Sequence, residues 1–303
     1  MSEHLLHPFP GLRPAPGAAA DVAAPPYDVV SFDEAAAMAD GRPWSFLHVS
    51  RPEIDLPPGT DSHADEVYAK GASNLAAMIE AGVLIRDEAP SYYVYRIIMG
   101  DHSQTGLVAA TPVDAYLKNI VRKHEFTRPD KEDDRVRQID EVDAQTGPVL
   151  VVHQPQPAIS AILKEVTAKD PTYDVTQPDG VRHIVWAVTV PADVQRVADA
   201  YAPVDVLYIA DGHHRSAAAA RVAALREGRD GVTDAHERFL IVAVPTDELH
   251  ILDYNRVIKD LNGLSEEAFL ARVNEAFDVT PASAPARPAR QHEFGMYIGG
   301  AWY

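Results

Sequence analysis

The stretch 204–227, VDVLYIADGHHRSAAAARVAALRE, decides the fold class of this chain. Its apolar run at 204–210 reads as a buried strand and its Ala-rich run at 216–227 as a helix, with Asp211-Gly212-His213-His214-Arg215 between them. A strand that turns through glycine into a helix is a building unit of α/β folds, and ligands gather at the carboxyl end of such strands. The first N–H groups of a helix lack intrahelical acceptors and favour negative charge, Gly212 permits close backbone approach, and Arg215 adds a cation. Gly212, His213, His214 and Arg215 therefore read as a phosphate site. Two further readings stay open: Asp211, His213 and His214 as ligands of a divalent ion, or Asp211 as a helix cap beside ordinary hydrogen-bonded histidines. The pattern is neither a Walker A loop nor Gly-x-Gly-x-x-Gly.

Working outward, apolar spacing predicts helices at 31–39 (capped by Ser31), 65–81, 158–168, 193–201 and 266–277 (capped by Ser265). Strands are expected at 45–50, 92–99, 104–111, 148–153, 180–190, 238–244 and 249–257, with a hairpin turn at Gly100-Asp101-His102-Ser103. The Pro- and Ala-rich opening at 8–27 is expected to run extended. The whole predicts an α+β or mixed α/β fold, with an N-terminal region 1–150 that contributes polar loops and a region 151–303 that carries the phosphate motif. The last residues read as a strand, a turn and the start of another strand, so the chain is expected to be the front part of a longer protein.

Three other segments carry chemistry. In Lys123-His124-Glu125-Phe126-Thr127-Arg128-Pro129-Asp130-Lys131, Glu125 is a base or metal ligand, while Lys123, His124 and Arg128 are cations for phosphate oxygens. Asp130 is expected to cap the next helix and Asp133 to pair with Arg137 four residues on. In Ala24-Pro25-Pro26-Tyr27-Asp28, proline-fixed backbone presents Tyr27 and Asp28, and near it Ser50, Arg51 and Glu53 form a polar cluster with Glu53 as an auxiliary carboxylate. Gln145, Thr146 and Arg256 complete the candidate substrate contacts.

Composition bounds the partners. A formal charge of −18 over 303 residues argues against a general nucleic-acid or anionic-membrane surface. Zero cysteines remove disulfides and thiolate chemistry, and no apolar run approaches a membrane span, so a cytoplasmic location is the default expectation.

The blocks Phe9-Pro10-Gly11-Leu12-Arg13-Pro14, Pro25-Pro26-Tyr27-Asp28-Val29, His48-Val49-Ser50-Arg51-Pro52-Glu53, Lys123-His124-Glu125 with Thr127-Arg128-Pro129, Ala144-Gln145-Thr146-Gly147-Pro148, Asp211-Gly212-His213-His214-Arg215 and Tyr254-Asn255-Arg256 resemble the bacterial and archaeal family called domain of unknown function 1015. More distantly, Gly212-His213-His214-Arg215 resembles the nucleotide-phosphate motif of the ParB and sulfiredoxin superfamily, which includes free-serine kinases. His213 stands where sulfiredoxins carry cysteine, which excludes sulfinic-acid reduction. This second resemblance implies a ParB/sulfiredoxin-like nucleotide-binding core and a small-molecule phosphotransferase, with free L-serine as one acceptor. ATP, ADP or pyrophosphate would be the donor, with Mg2+ on Asp211 and Glu125. Asp211 would be the base, Glu125 or Glu53 the second carboxylate. The alternatives are a regulatory protein that binds a nucleotide or phosphometabolite without turnover, and a metal-dependent phosphoester hydrolase.

Overall fold

A computed structural model describes residues 4–229, 233–253 and 255–303, and the chain divides into two units, Met1–His250 and Ile251–Tyr303. The first unit holds strands β1 (Leu12–Pro14), β2 (Leu84–Arg86), β3 (Tyr92–Met99), β4 (His102–Pro112), β5 (Val121–Arg122), β6 (Val149–His153), β7 (Tyr173–Thr176), β8 (Arg182–Val188), β9 (Leu207–Asp211) and β10 (Arg238–Pro245). Its helices are α1 (Ala19–Val22), α2 (Phe32–Ala39), α3 (Leu47–Ser50), α4 (Asp65–Glu80), α5 (Val113–Leu117), α6 (Pro129–Val142), α7 (Pro157–Thr167), α8 (Pro191–Tyr201) and α9 (His213–Arg226).

Eight strands form one mixed sheet in the order β5-β9-β6-β10-β4-β3-β8-β7, which establishes the mixed α/β class. Its register explains its core. Val94 faces Leu107, Leu107 faces Ala243, Ile241 faces Val149 and Val151 faces Ile209. Alternate residues of a strand share a face, so these side chains make one continuous buried layer. Helices α5, α7, α8 and α9 cover it through residues such as Tyr116, Ile159, Val197 and Ala219. The strands at 92–99, 104–111, 148–153, 180–190 and 238–244 are found within a few residues of their expected limits. The helices expected at 31–39, 65–81, 158–168 and 193–201 are found as well, α2 with a complete Ser31–Glu34 capping box.

A second tier hangs on α6. Val136 of α6 packs on Ala218 and Val222 of α9, while Val142 joins Val22, Val49, Leu75, Met78 and Leu84 beneath α4. Gly71 of α4 keeps this approach close, since a Cβ there would lie 3.2 Å from the Val49 carbonyl oxygen. The N-terminal strap is tied to the sheet by polar groups. Arg13 meets Asp87 at 2.6 Å, Tyr93 donates its hydroxyl hydrogen to Asp87 at 2.6 Å, and Gly11 N–H donates to the Tyr93 oxygen at 2.8 Å.

Several local expectations are corrected. Residues 45–50 hold the helical turn α3 instead of a strand; Leu47 and Val49 enter two different clusters, and so short a run satisfies both periodicities. No strand forms at 249–257 among the described residues, where Ile251, Leu252 and Val257 are exposed; the run has strand-like composition without a partner strand. The strap at 8–27 contains β1 and α1 in place of a purely extended course. Helix α6 begins at Pro129 with Arg128 at its cap position, so Asp130 lies in the first turn and pairs with Arg128 at 2.8 Å. Asp133 pairs with Arg221 of α9 at 2.7 Å, and Arg137 reaches Asp65 of α4. Because α6 lies between two helices, its charges find partners across the packing instead of along its own face. Residue 150 falls inside β6, and the sheet takes strands from both sides of it.

The second unit holds α10 (Glu266–Asn274), whose cap Ser265 accepts from Ala268 N–H at 3.2 Å, and an antiparallel pair β11 (Tyr297–Ile298) and β12 (Ala301–Trp302). Tyr254 lies outside the described residues. No helix among the described residues is long and apolar enough to cross a membrane.

Two outcomes follow from the core. Phe239 is 1% exposed and sets its ring edge-to-face with Tyr116, so Phe239→Ala is expected to lower stability by about 3–5 kcal/mol in urea unfolding. His153, also fully buried, is bonded through Nδ1 to the Gln154 carbonyl and has no partner at Nε2 among the described residues. Burial holds its imidazole below its ordinary value of 6.5, against the opposing pull of that carbonyl and Asp247. The unfolded chain then binds the extra proton, so stability is fully present above about pH 6.5 and declines as pH falls below it. His153→Phe is expected to shrink that slope in unfolding curves taken from pH 7.5 to 5.

Candidate functional site

The site begins where β9 ends. Gly212 has φ +98°, a conformation glycine adopts without strain, and it serves as the N-cap of α9. The helix therefore starts at His213, three residues earlier than its alanine run suggests, and both histidines sit in its first turn. A Cβ on Gly212 would stand 3.2 Å from Nε of Arg215 and 3.3 Å from Cα of Val149, because the Arg215 side chain lies across the glycine. Its Nη1 donates to the Pro148 carbonyl, and its Nη2 to Oδ2 of Asp211 at 2.5 Å. Asp211 thus pairs with Arg215 and makes no side-chain cap for the helix. The turn preceding β6 is fixed from the other side: the Gln145 amide donates to the Arg238 carbonyl at 2.9 Å and accepts from Leu240 N–H at 2.7 Å.

The histidines hold the loop 123–128. Nε2 of His214 accepts from Arg128 N–H at 3.0 Å, and Nε2 of His213 from His124 N–H at 3.5 Å. Nδ1 of His213 lies 3.7 Å from Glu125, and its ring stands edge-on to that of His124. An Nε2 that accepts an N–H carries no hydrogen of its own. Burial and the neighbouring His124 hold the His213 imidazole below its ordinary value, against Glu125 and Asp211. Lys123 stacks over the Tyr116 ring at 4.0 Å, and Phe126 at the loop tip is fully exposed.

Beside this helix start opens a polar cleft of about 420 Å³. It is lined by Tyr27 and Asp28, by Ser50, Arg51 and Glu53, by His63 and Tyr68, by Lys131, Asp134, Arg135 and Gln138 of α6, and by His214. A side pocket of about 30 Å³ shares the walls Tyr27, Arg135 and Gln138 and is closed by Gln145, Thr146, Gly147 and Arg215. Arg51 fixes the rim: Nε donates to Glu53 at 2.6 Å and Nη1 to the carbonyls of Tyr27 at 2.9 Å and Val30 at 2.5 Å. Arg135 stacks over the Tyr27 ring at 3.9 Å and pairs with Asp134 at 2.6 Å, and Tyr68 donates to Asp134 at 2.7 Å. Burial pushes the Asp134 carboxyl up, but Arg135 and the Tyr68 hydroxyl outweigh it and hold the group below its ordinary value. Burial pushes the Tyr27 phenol up, and the guanidinium groups of Arg135 and Arg215 oppose it.

Tyr27, Asp28, Ser50, Arg51, Glu53, His214, Gln145, Thr146 and Arg215, which sequence places in four separate segments, thus border one cleft and its side pocket. Asp211, Gly212, His213, Lys123, His124, Glu125 and Arg128 belong to the adjoining helix start and its loop. Arg256 lies in the second unit and is exposed. Among the described residues no three of His, Asp or Glu are arranged to hold a metal ion: Asp211 turns to Arg215, and His213 and His214 turn to backbone N–H groups. Sequence reading missed Lys131, Asp134, Arg135 and Gln138, although their spacing of three, one and three residues places all four on one helix face.

A family model described as "Protein of unknown function (DUF1015)" matches residues 6–303, and the chain belongs to that family. Neither the curated proteins nor the solved structures contain a match to this chain.

The Arg51–Glu53 pair carries the rim. Glu53 is 7% exposed, so Arg51→Ala leaves a buried carboxylate without its cation and two carbonyls without their donor. A loss of about 3 kcal/mol is expected in urea unfolding, with partial recovery in Arg51→Ala/Glu53→Gln.

Proposed function

We propose that this protein is a small-molecule phosphotransferase whose cleft holds the acceptor and whose α9 start and side pocket hold the donor phosphates. The observation that carries the reading is the convergence of Tyr27, Ser50, Arg51, Glu53, Thr146, His214 and Arg215 on one small polar cleft and its side pocket beside the N-terminus of α9. The first-turn N–H groups of His213, His214 and Arg215 favour phosphate oxygens, and the Arg215 guanidinium adds charge beside them. The likeness of Gly212-His213-His214-Arg215 to the phosphate motif of the ParB and sulfiredoxin superfamily supports the same assignment.

In this reaction the acceptor hydroxyl attacks the terminal phosphorus of ATP, ADP or pyrophosphate. The new O–P bond forms as the bond to the leaving group (ADP, AMP or phosphate, according to the donor) breaks, and Asp211 takes the hydroxyl proton. Lys123 and Arg128 of the loop 123–128 offset charge that builds on the transferred group. Mg2+ fits as a companion of the donor, since it commonly takes one or two carboxylates along with phosphate oxygens. Asp211 and Glu125, both close enough to act electrostatically on His213, are the residues that would hold it. When bound it neutralises phosphate charge.

A second reading, ligand binding without turnover, draws on the ion pairs Asp211–Arg215 and Glu53–Arg51, which hold two of the three proposed carboxylates against cations. Phosphorus-31 NMR of the protein with Mg2+, free L-serine and each donor in turn separates the two. A new phosphomonoester signal is expected, slowed about 100-fold or more in Asp211→Asn. Broadened donor signals with no product at high protein concentration would overturn the transferase in favour of the binding protein.

A further inference from the structure

Most charges that line the cleft are already paired inside the protein. Arg51 holds Glu53 and Arg135 holds Asp134, both at 2.6 Å. His63 lies 3.9 Å from Asp134, and His214 accepts the Arg128 N–H. Among the described residues this leaves Asp28 and Lys131, which line the same cleft of about 420 Å³ and make no ion pair and no side-chain hydrogen bond. One anion and one cation therefore face a ligand small enough to sit between them.

Two uncharged groups remain as well. The Ser50 hydroxyl is buried without a hydrogen-bond partner among the described residues. Gln138 is 3% exposed and borders both the cleft and the side pocket; its amide nitrogen donates to the Val49 carbonyl at 3.1 Å. Buried polar groups are nearly always satisfied, so the Ser50 hydroxyl calls for a ligand group that can donate to it or accept from it, and the Gln138 amide on the same lining offers a second contact. A hydroxyl does both. Val67 and Pro52 are the sole aliphatic residues on the lining, which leaves little for a hydrophobic ligand to bury against.

We propose that the cleft is a subsite for a small hydroxylated zwitterion, with its ammonium group on Asp28, its carboxylate on Lys131 and its hydroxyl on Ser50 and Gln138. The assignment rests on the cleft being the acceptor's compartment, and it names Lys131 and Gln138 as specificity-determining residues. A net-neutral pair of opposite poles rejects monoions, because each leaves one cleft charge facing the ligand without a partner. Gln138, bordering both compartments, would place the hydroxyl at the opening toward the side pocket.

The test is binding, measured by calorimetry and ligand-observed NMR on the full chain, with L-serine, L-homoserine, ethanolamine, 3-hydroxypropionate and glycerol as probes. At least one of the two zwitterions is expected to bind, and ethanolamine, 3-hydroxypropionate and glycerol each at least about tenfold more weakly. Lys131→Met is expected to weaken the zwitterion and 3-hydroxypropionate at least about fivefold while leaving ethanolamine unchanged. Asp28→Asn is expected to weaken the zwitterion and ethanolamine but not 3-hydroxypropionate. Both side chains are exposed, so the variants should fold, which far-ultraviolet circular dichroism verifies. Equal binding of glycerol or of either monoion, indifference to both variants, or no binding by either zwitterion overturns the proposal. The two readings fail separately: selective zwitterion binding with no phosphomonoester product sinks the transferase and keeps the subsite, whereas product formed from glycerol as readily as from L-serine does the reverse.

Discussion

Arg215 laid across Gly212 is the interaction on which the site depends. Its guanidinium joins the end of β9, through Asp211, and the start of α9 from which it grows to the turn before β6, 67 residues away, through the Pro148 carbonyl. The crossing requires a residue with no side chain at 212 and a positive φ there, because a Cβ would press on both Arg215 and the β6 backbone. An arginine suits this task because its planar fork supplies several donors in fixed directions, two for the scaffold and others for whatever enters the side pocket. The same residue thereby shapes the pocket and remains part of its wall.

Helix α6 transmits that order to the rest of the cleft. One side of it packs on α9 and another joins the cluster beneath α4, so the N-terminal segments reach the sheet through it. Lys131, Asp134, Arg135 and Gln138 share one face of the helix and form the cleft wall. Acidic residues outnumber basic ones in α6, and few of them pair within the helix. Glu132 and Asp133 reach Arg221 of α9, Arg137 reaches Asp65 of α4, and Asp140 meets Arg226 of α9. In a chain of net charge −18, this pattern concentrates cations where they neutralise neighbouring helices. It leaves Lys131 and Asp28 as the unpaired poles of the cleft.

His213 and His214 illustrate how one motif supports different chemistry before and after folding is considered. As a sequence, two histidines beside an aspartate and a glycine fit a metal, a phosphate or a plain turn. Folded, each imidazole accepts a backbone N–H from the loop 123–128, which a metal-bound or protonated Nε2 could not do. Their part is to seat the loop over the helix start, so that Lys123, Glu125 and Arg128 stand near it without touching the cleft directly.

Local patterns determined much of the framework. Alternating apolar residues in β3, β4, β6, β8 and β10, the Ser31 and Ser265 caps, and the apolar faces of α4, α7 and α8 are all written in runs of a few residues, and each is set by contacts or periodicities inside that run. The glycine turn from strand to helix at 211–213 was legible for the same reason. Tertiary structure alone decided the strand order, the pairing of β9 with both β5 and β6, the helical turn at 47–50, the partners of the α6 charges, and the meeting of the Tyr27, Ser50, Gln145 and Arg215 segments at one cleft. Those outcomes depend on which buried faces meet across separations of dozens of residues, and a short stretch of sequence carries the propensity of its own backbone but not the identity of the surface that will cover it.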